Sequence, residues 1–332
     1  MSIYFTTSWK PTGTKSFRLA ASQFVIDKSG GNAQNPDKLF MTCVEPRPGN
    51  VFVQADQSGA EALIVANECR AGRFRSLFDN GIKPHTYMAL QIFREQLRGE
   101  HSADRYWAAD PAQLVKLPEW SALNKRISKS KECEQMYFLG KKVIHAKNYD
   151  MKWKTYIDNV LVTSHGDIVL SAAEGKYHLN THEVLFPEIL EQQERVKTEL
   201  HTTRILHNLF GHPRRFEKRM TADIEREALS FIPQSTVGEI TNRACVTLQN
   251  YIDDTGKAGR WHFANNKHDS LMAEVPEEDG MECAKLLNSL LCVKLTSTTG
   301  ITYYMKSEVA IGKNWGKYDE EHNPDGMNEV KI

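Results

Sequence analysis

Val51-Phe52-Val53-Gln54-Ala55-Asp56-Gln57-Ser58-Gly59-Ala60-Glu61-Ala62 is the stretch on which the reading of this chain turns. Its first five residues predict a short buried strand, and that strand ends on Asp56. A carboxylate at a strand end is fixed by the sheet and presented at its rim, where a metal ligand should be anchored. An acid after a strand also serves as a helix cap or turn former, so the neighbouring segments have to decide between the two.

Upstream, the chain to about Asn50 is rich in Thr, Ser, Gly, Asn and Pro, an irregular surface suited to contacts with a sugar-phosphate backbone. Downstream, periodicity from Glu61 to roughly Leu200 is helical, with interruptions at Gly81, Pro111 and Pro118. The last third returns to mixed structure: a hairpin across Trp261 to Val275, a helix through Ala284 to Leu291, and a closing strand before Gly312-Lys313-Asn314-Trp315. Strand-bearing segments on either side of a helical insertion predict an α+β platform completed by distant parts of the chain.

A second acid lies in Asn265-Asn266-Lys267-His268-Asp269-Ser270, which reads as a β-hairpin with Asp269 at its tip, or as an ordinary Asn/Asp-rich turn. Between the two acids, Lys141, His145 and Tyr149 recur every fourth residue. On a helix they form one row, either a cation, an imidazole and a phenol facing a cleft or a polar outer face. Thr236-Val237-Gly238-Glu239 fits a capping box, predicting a helix that begins near Gln234, with Arg226 and Gln234 as polar groups at or before its start.

Composition narrows the classes. The 332 residues can bury a large core. No stretch approaches the ~20 apolar residues of a membrane helix, and Met1 is not followed by a signal-peptide pattern, so the chain reads as soluble, intracellular and without membrane contact. The six cysteines are scattered without zinc-ligand spacing. Lys plus Arg (42) equals Asp plus Glu (42), so affinity for a polyanion has to come from local patches. Lys125, Arg126, Lys129 and Lys131 form one, and Arg214, Arg215, Lys218 and Arg219 another.

Taken in order, the segments resemble family A, the DNA polymerase I-like DNA polymerases, particularly their bacteriophage branch. Phe17 to Ser22 and Gly31 to Pro36 resemble the TGRLSS and NLQN elements. Ala55 to Ala62 resembles ADYSQIELR, Lys83 to Thr86 the D-I-H-T segment, and Lys141, His145 and Tyr149 the K-x3-F/Y-x3-Y helix. Arg226 to Gln234 resembles R-x7-Q, His268-Asp269-Ser270 the HDE motif, and Ile311 to Trp315 the last palm strand.

The resemblance implies a palm (an antiparallel sheet with helices) carrying an inserted, mainly helical fingers subdomain. Residues 1–67 would be the first part of the palm, 68–212 the fingers and 213–332 the second part of the palm. It implies Asp56 and Asp269 as catalytic ligands of magnesium. Lys141, His145, Tyr149, His85 and the sugar gate Glu61 would bind the dNTP, and Arg18, Gln34, Asn35, Arg226, Gln234 and His268 the primed DNA template. The pattern is entered at residue 1, which implies the catalytic subunit of a split polymerase with a second chain bringing thumb or exonuclease, in the cytoplasm of a bacterial host if of phage origin.

This chain departs from the pattern at Ser270 (usually Glu), Leu63 (usually Arg), Asp150 (usually Gly) and Tyr137 (usually Arg). The last two add an anion and remove a cation near a triphosphate, with Lys142 and Lys147 as the candidates to compensate. They also frame the alternative, a catalytically silent DNA-binding or assembly subunit. A single-subunit RNA polymerase is a third reading, against which the Glu61 gate speaks. Arg94 to Glu132 is longer than the family segment and has no assigned role.

Overall fold

The computed structural model describes residues 7–10, 13–23, 31–97, 106–107 and 109–332. Strands β1 (Ser8–Lys10) and β2 (Ala20–Ser22) pair with each other, and α1 (Lys38–Thr42) precedes the long strand β3 (Asn50–Gln57). A run of helices follows: α2 (Ala60–Glu68), α3 (Arg73–Asp79), α4 (Pro84–Ile92), α5 (Pro111–Leu114), α6 (Trp120–Lys129), α7 (Glu134–Asn148), α8 (Trp153–Thr163), α9 (Ala172–Leu185) and α10 (Pro187–Thr203). The hairpin β4 (Ile205–His207) and β5 (Pro213–Arg215) leads to α11 (Ala222–Asp254). Then come β6 (His262–Lys267), β7 (Ser270–Pro276), α12 (Gly280–Leu291), β8 (Lys294–Thr296), β9 (Thr302–Tyr304), β10 (Ser307–Gly312) and β11 (Asn328–Val330).

Among the described residues the main sheet has the order β11-β10-β3-β7-β6, every pairing antiparallel. Strand β3 is thus central, its neighbours drawn from the last quarter of the chain. Alternation along β3 and β7 sends Val51, Val53 and Ala55, with Leu271, Ala273 and Val275, into a core shared with Ala284 and Leu287 of α12 and Val237 and Ile240 of α11. The opposite face carries Phe52 and Met272, packed with Trp315 and flanked by Met41 and Val44. The inserted helices have a core of their own, with Phe74, Tyr87, Ile127, Val143 and Phe186 in it. Helix α2 serves both cores, Ala60 and Ile64 facing the sheet and Val65 and Ala66 the helices. The architecture is α+β, as the sequence predicts. No helix among the described residues is long and apolar enough to cross a membrane.

One boundary differs from expectation. The helix expected to begin near Gln234 begins twelve residues earlier, with the Thr221 hydroxyl capping Ile224 N–H, and it runs through Pro233. Proline deletes one helical hydrogen bond and ordinarily ends a helix. Here Phe231, Ile232 and Pro233 are all buried, and packing around the helix outweighs the lost bond. Thr236 and Glu239 do not cap; three residues apart on one helical face, they hold the turn at 208–212 instead. The Thr236 hydroxyl accepts from Leu209 N (3.2 Å), and Glu239 accepts from Asn208 Nδ2 (2.8 Å) and bonds His212 Nδ1 (2.6 Å).

Candidate active site at the ends of the central strands

Register places a row of four side chains across the sheet. Asp56 on β3 lies opposite Glu308 on β10 and Ser270 on β7, and Ser270 lies opposite Lys267 on β6. Directly opposed residues of antiparallel strands share a face, so the order is acid, acid, hydroxyl, amine. The β6–β7 connection is a two-residue turn, His268–Asp269, with His268 at φ 59°. Gln57 N–H donates to Asp269 C=O (3.1 Å), which fixes Asp269 beside the end of β3. The two acids expected to act together therefore stand at the same end of the sheet, Asp56 near the end of β3 and Asp269 in the turn that leads into its neighbour β7.

Their electrostatics bear this out as one charged site. Asp56 is accessible to solvent yet walled by protein on most sides. Burial first, then the charges of Asp269 and Glu308, push its carboxyl up to about 7, against the opposing pull of Lys267 and Lys141. Burial also raises Asp269, with its own backbone and Arg18 opposing. Two carboxylates that resist ionising together are an attractive donor pair for a divalent cation, and magnesium characteristically takes one or two protein carboxylates plus substrate phosphates. Among the described residues no group of three or more His, Cys, Asp or Glu is arranged to hold a metal ion.

The helical insertion reaches over the site through α4 and α7. A Cβ added at Gly140 would sit 2.5 Å from His85 O and 2.9 Å from Ala89 N, so only glycine lets the two backbones approach this closely. The contact puts His85 beside the α7 row. Burial, then Lys141, His145 and Lys83, press the His85 imidazole down to about 3, keeping it neutral. Lys141 and His145 are exposed. The row ends on buried Tyr149, with the His145 ring edge-on to it at 5.3 Å.

Tyr149 joins the two halves of the site. Its hydroxyl donates to Glu61 Oε2, and Arg18 Nη2 bonds Glu61 Oε1. Burial alone would raise the Glu61 carboxyl, but Arg18, the Tyr149 hydroxyl and His145 outweigh it and hold it below its ordinary value. Glu61 is thus ionised and clamped between α7 and the segment before β2.

The remaining expected contacts divide. His268 Nε2 and Asn35 Oδ1 are 3.1 Å apart at the surface beside Asp269. Gln34 is buried, its amide committed to Leu19 O (2.9 Å) and Ala21 N (3.1 Å), so it braces β2. Arg226 pairs with Asp223 on the first turns of α11, and Gln234 is half-buried two turns on. Among the described residues no hydrogen bond or ion pair joins Arg226 or Gln234 to the others.

The departures also find places. Asp150, at φ 54°, is met by Lys152 (2.7 Å), Lys197 (3.2 Å) and Lys147 (3.8 Å), so its charge is answered locally. Tyr137 lies edge-on to His85 at 5.9 Å. Neither lysine expected to compensate is available: Lys147 is buried on Glu183 (2.5 Å), and Lys142 reaches Asn159 (3.4 Å) and the Phe138 ring. Residues 94–132 fall partly outside the described residues.

Sequence reasoning passed over Glu308, Lys83, Lys267 and Gln54. Lys83, at the start of α4, is 3.6 Å from Glu308 and so ties the insertion to the sheet next to Asp56. Gln54 links Trp315 Nε1 (3.0 Å) to Ser270 Oγ (3.2 Å). Alternation along β3 puts Gln54 on the face of Asp56, a signal readable once the strand is accepted; Glu308 and Lys267 depend on register between strands, and Lys83 on how the helical insertion meets the sheet.

No family model matches the chain, and no curated protein matches it by sequence. Solved structures do. One is described as the POL domain of Pol1 from M. smegmatis in complex with DNA primer-template and dNTP, at a TM-score of 0.67 and 17% identity. The match takes in 93% of this chain and 47% of that one, so the chain spans about half the length of its structural neighbour. With its central antiparallel sheet and helical insertion, the chain has the fold of a DNA polymerase domain.

Proposed function

We propose that the chain is a template-directed DNA polymerase, adding deoxynucleotides to a primer 3′ end with Asp56 and Asp269 as its metal-binding acids. The observation that carries this reading is the placement of those two carboxylates at the same end of the sheet beneath a helix that offers Lys141, His145 and Tyr149. In this reading residues 1–67 and 213–332 form the palm and 68–212 the fingers.

In the reaction the primer 3′-oxygen bonds to the α-phosphorus of a dNTP, the bond to the β-phosphate breaks, and pyrophosphate leaves. Asp56 and Asp269 would hold magnesium, which when bound would supply Lewis-acid stabilisation of the attacking and leaving oxygens. Such transfer asks the protein chiefly for position and positive charge. Lys141, exposed and one turn before His145, meets the triphosphate, and His145 and Tyr149 pack on sugar and base. Glu61 is clamped by Tyr149 and Arg18, so it cannot swing aside for a ribose 2′-hydroxyl, which makes it a rigid gate against ribonucleotides. Asp150, which had favoured a silent binding subunit, is neutralised by its three lysines and leaves Tyr137 as that reading's main support.

The test is one-nucleotide extension on four templates that differ only in the templating base. Incorporation of the complementary dNTP in each case supports the reading. Binding of primed template with no incorporation on any of the four would identify the silent subunit instead.

A further inference from the structure

We propose that Lys267 is a primer-binding residue whose ammonium holds a backbone phosphodiester of the primer strand next to the reacting 3′ end. This rests on the polymerase reading above.

Lys267 closes the row Glu308, Asp56, Ser270, Lys267, directly across from Ser270. Its ammonium is 3.9 Å from Met41 Sδ and 5.7 Å from the centre of the Trp315 ring, and it has no carboxylate within ion-pair distance among the described residues. Of the other lysines near the site, Lys83 is engaged with Glu308, Lys147 with Glu183 and Lys197 with Asp150, while exposed Lys141 belongs to the nucleotide side. A thioether and an aromatic face are weak partners for an amine beside a phosphate. Lys267 is therefore held in place without an ion pair among the described residues. Its platform is firm, because the Trp315 indole N–H is fixed on Gln54 Oε1.

The row also has a direction. At its far end Glu308 meets Lys83 of the helical insertion, the part of the chain that carries Lys141. In-line displacement puts the leaving pyrophosphate and the attacking oxygen on opposite sides of the reacting phosphorus. If the triphosphate lies toward Lys141, the primer strand arrives from the other side of Asp56, over Ser270 and Lys267. A fixed amine there neutralises one phosphate and releases the counterion it carried.

The test measures binding of a labelled primed template between about 50 and 200 mM salt, without nucleotide, for the parent, Lys267→Met and Lys267→Arg. Methionine keeps the apolar stem against Met41 and Trp315 while removing the charge. Losing one phosphate contact should flatten the log–log salt slope by about 0.9, so the parent's advantage over Lys267→Met shrinks about 3.5-fold across that range. Lys267→Arg should restore the slope. An unchanged slope in a folded Lys267→Met protein overturns the proposal, leaving Lys267 a packing residue. Primer extension by the parent is run alongside. Extension with an unmoved slope sinks this inference alone, whereas a parent that neither extends nor binds primed template sinks both it and the polymerase reading.

Discussion

Replacing Gly140 by alanine should be costly in a way that helix propensity alone would not foretell. In a helix interior Gly→Ala ordinarily stabilises by about 1 kcal/mol. Here the new methyl would lie 2.5 Å from His85 O, 2.9 Å from Ala89 N and 3.1 Å from Ala89 Cβ. The first two are backbone atoms of α4, which no rotamer change can move aside. Relief requires the two helices to separate by the better part of an ångström, and overpacking of that kind costs typically about 1–3 kcal/mol. Set against the propensity gain, the net expectation is a loss of up to about 2 kcal/mol, seen as a lower denaturant midpoint. Because the same contact sets His85 against Lys141, nucleotide use should suffer more than stability, by about 10-fold to 100-fold in kcat/KM for a shift near 1 Å. Adding Ala89→Gly removes only the mildest of the three clashes, so the double variant should recover little. A Gly140→Ala protein as stable as the parent, with unchanged kcat/KM, would refute the close α4–α7 approach and the placement of His85 built on it.

Two further perturbations test other parts of the site. Glu61→Ala strips the Tyr149 hydroxyl and Arg18 of their shared partner, so it should cost about 1–3 kcal/mol while raising ribonucleotide incorporation relative to dNTP. Unchanged sugar selectivity would mean that Glu61 only anchors Tyr149 and Arg18. For Asp56→Asn the sign follows from a folded carboxyl raised from 3.8 to about 7. Such a group contributes stability at low pH that is lost as the pH rises from 3.8 to about 7, because over that window the unfolded state has released the proton that the folded state still holds. Asparagine cannot ionise, so the variant should melt higher than the parent at pH 8 without divalent cation. The advantage should shrink by pH 5 and also on adding magnesium; equal melting curves at pH 5 and pH 8 would contradict the charged pair.

What could be read from the sequence follows the range of the forces involved. Strand β3, the hairpin tip bearing Asp269 and the α7 row are written in spacings of a few residues, and each lies where those spacings put it. The start of α11 was misread because Thr236 and Glu239 have cap spacing, whereas their partners, Leu209, Asn208 and His212, come from a turn about thirty residues away in the chain. Glu308 and Lys267 were invisible for a related reason. Their nearness to Asp56 depends on antiparallel register between strands more than two hundred residues apart, which no local pattern encodes. Gln34 illustrates the converse: its motif was legible, but only the fold shows its amide spent on the backbone of Leu19 and Ala21.

The most direct test of the polymerase reading is magnesium-dependent addition of a single dNTP to a primed template, with Asp56→Ala and Asp269→Ala alongside the parent. The expected result is extension by the parent that vanishes on chelation and falls about 10³-fold or more in each variant, the loss of several kcal/mol of charge stabilisation. Extension that survives loss of either acid, or a folded, DNA-binding parent that adds no nucleotide, would contradict a two-carboxylate polymerase site.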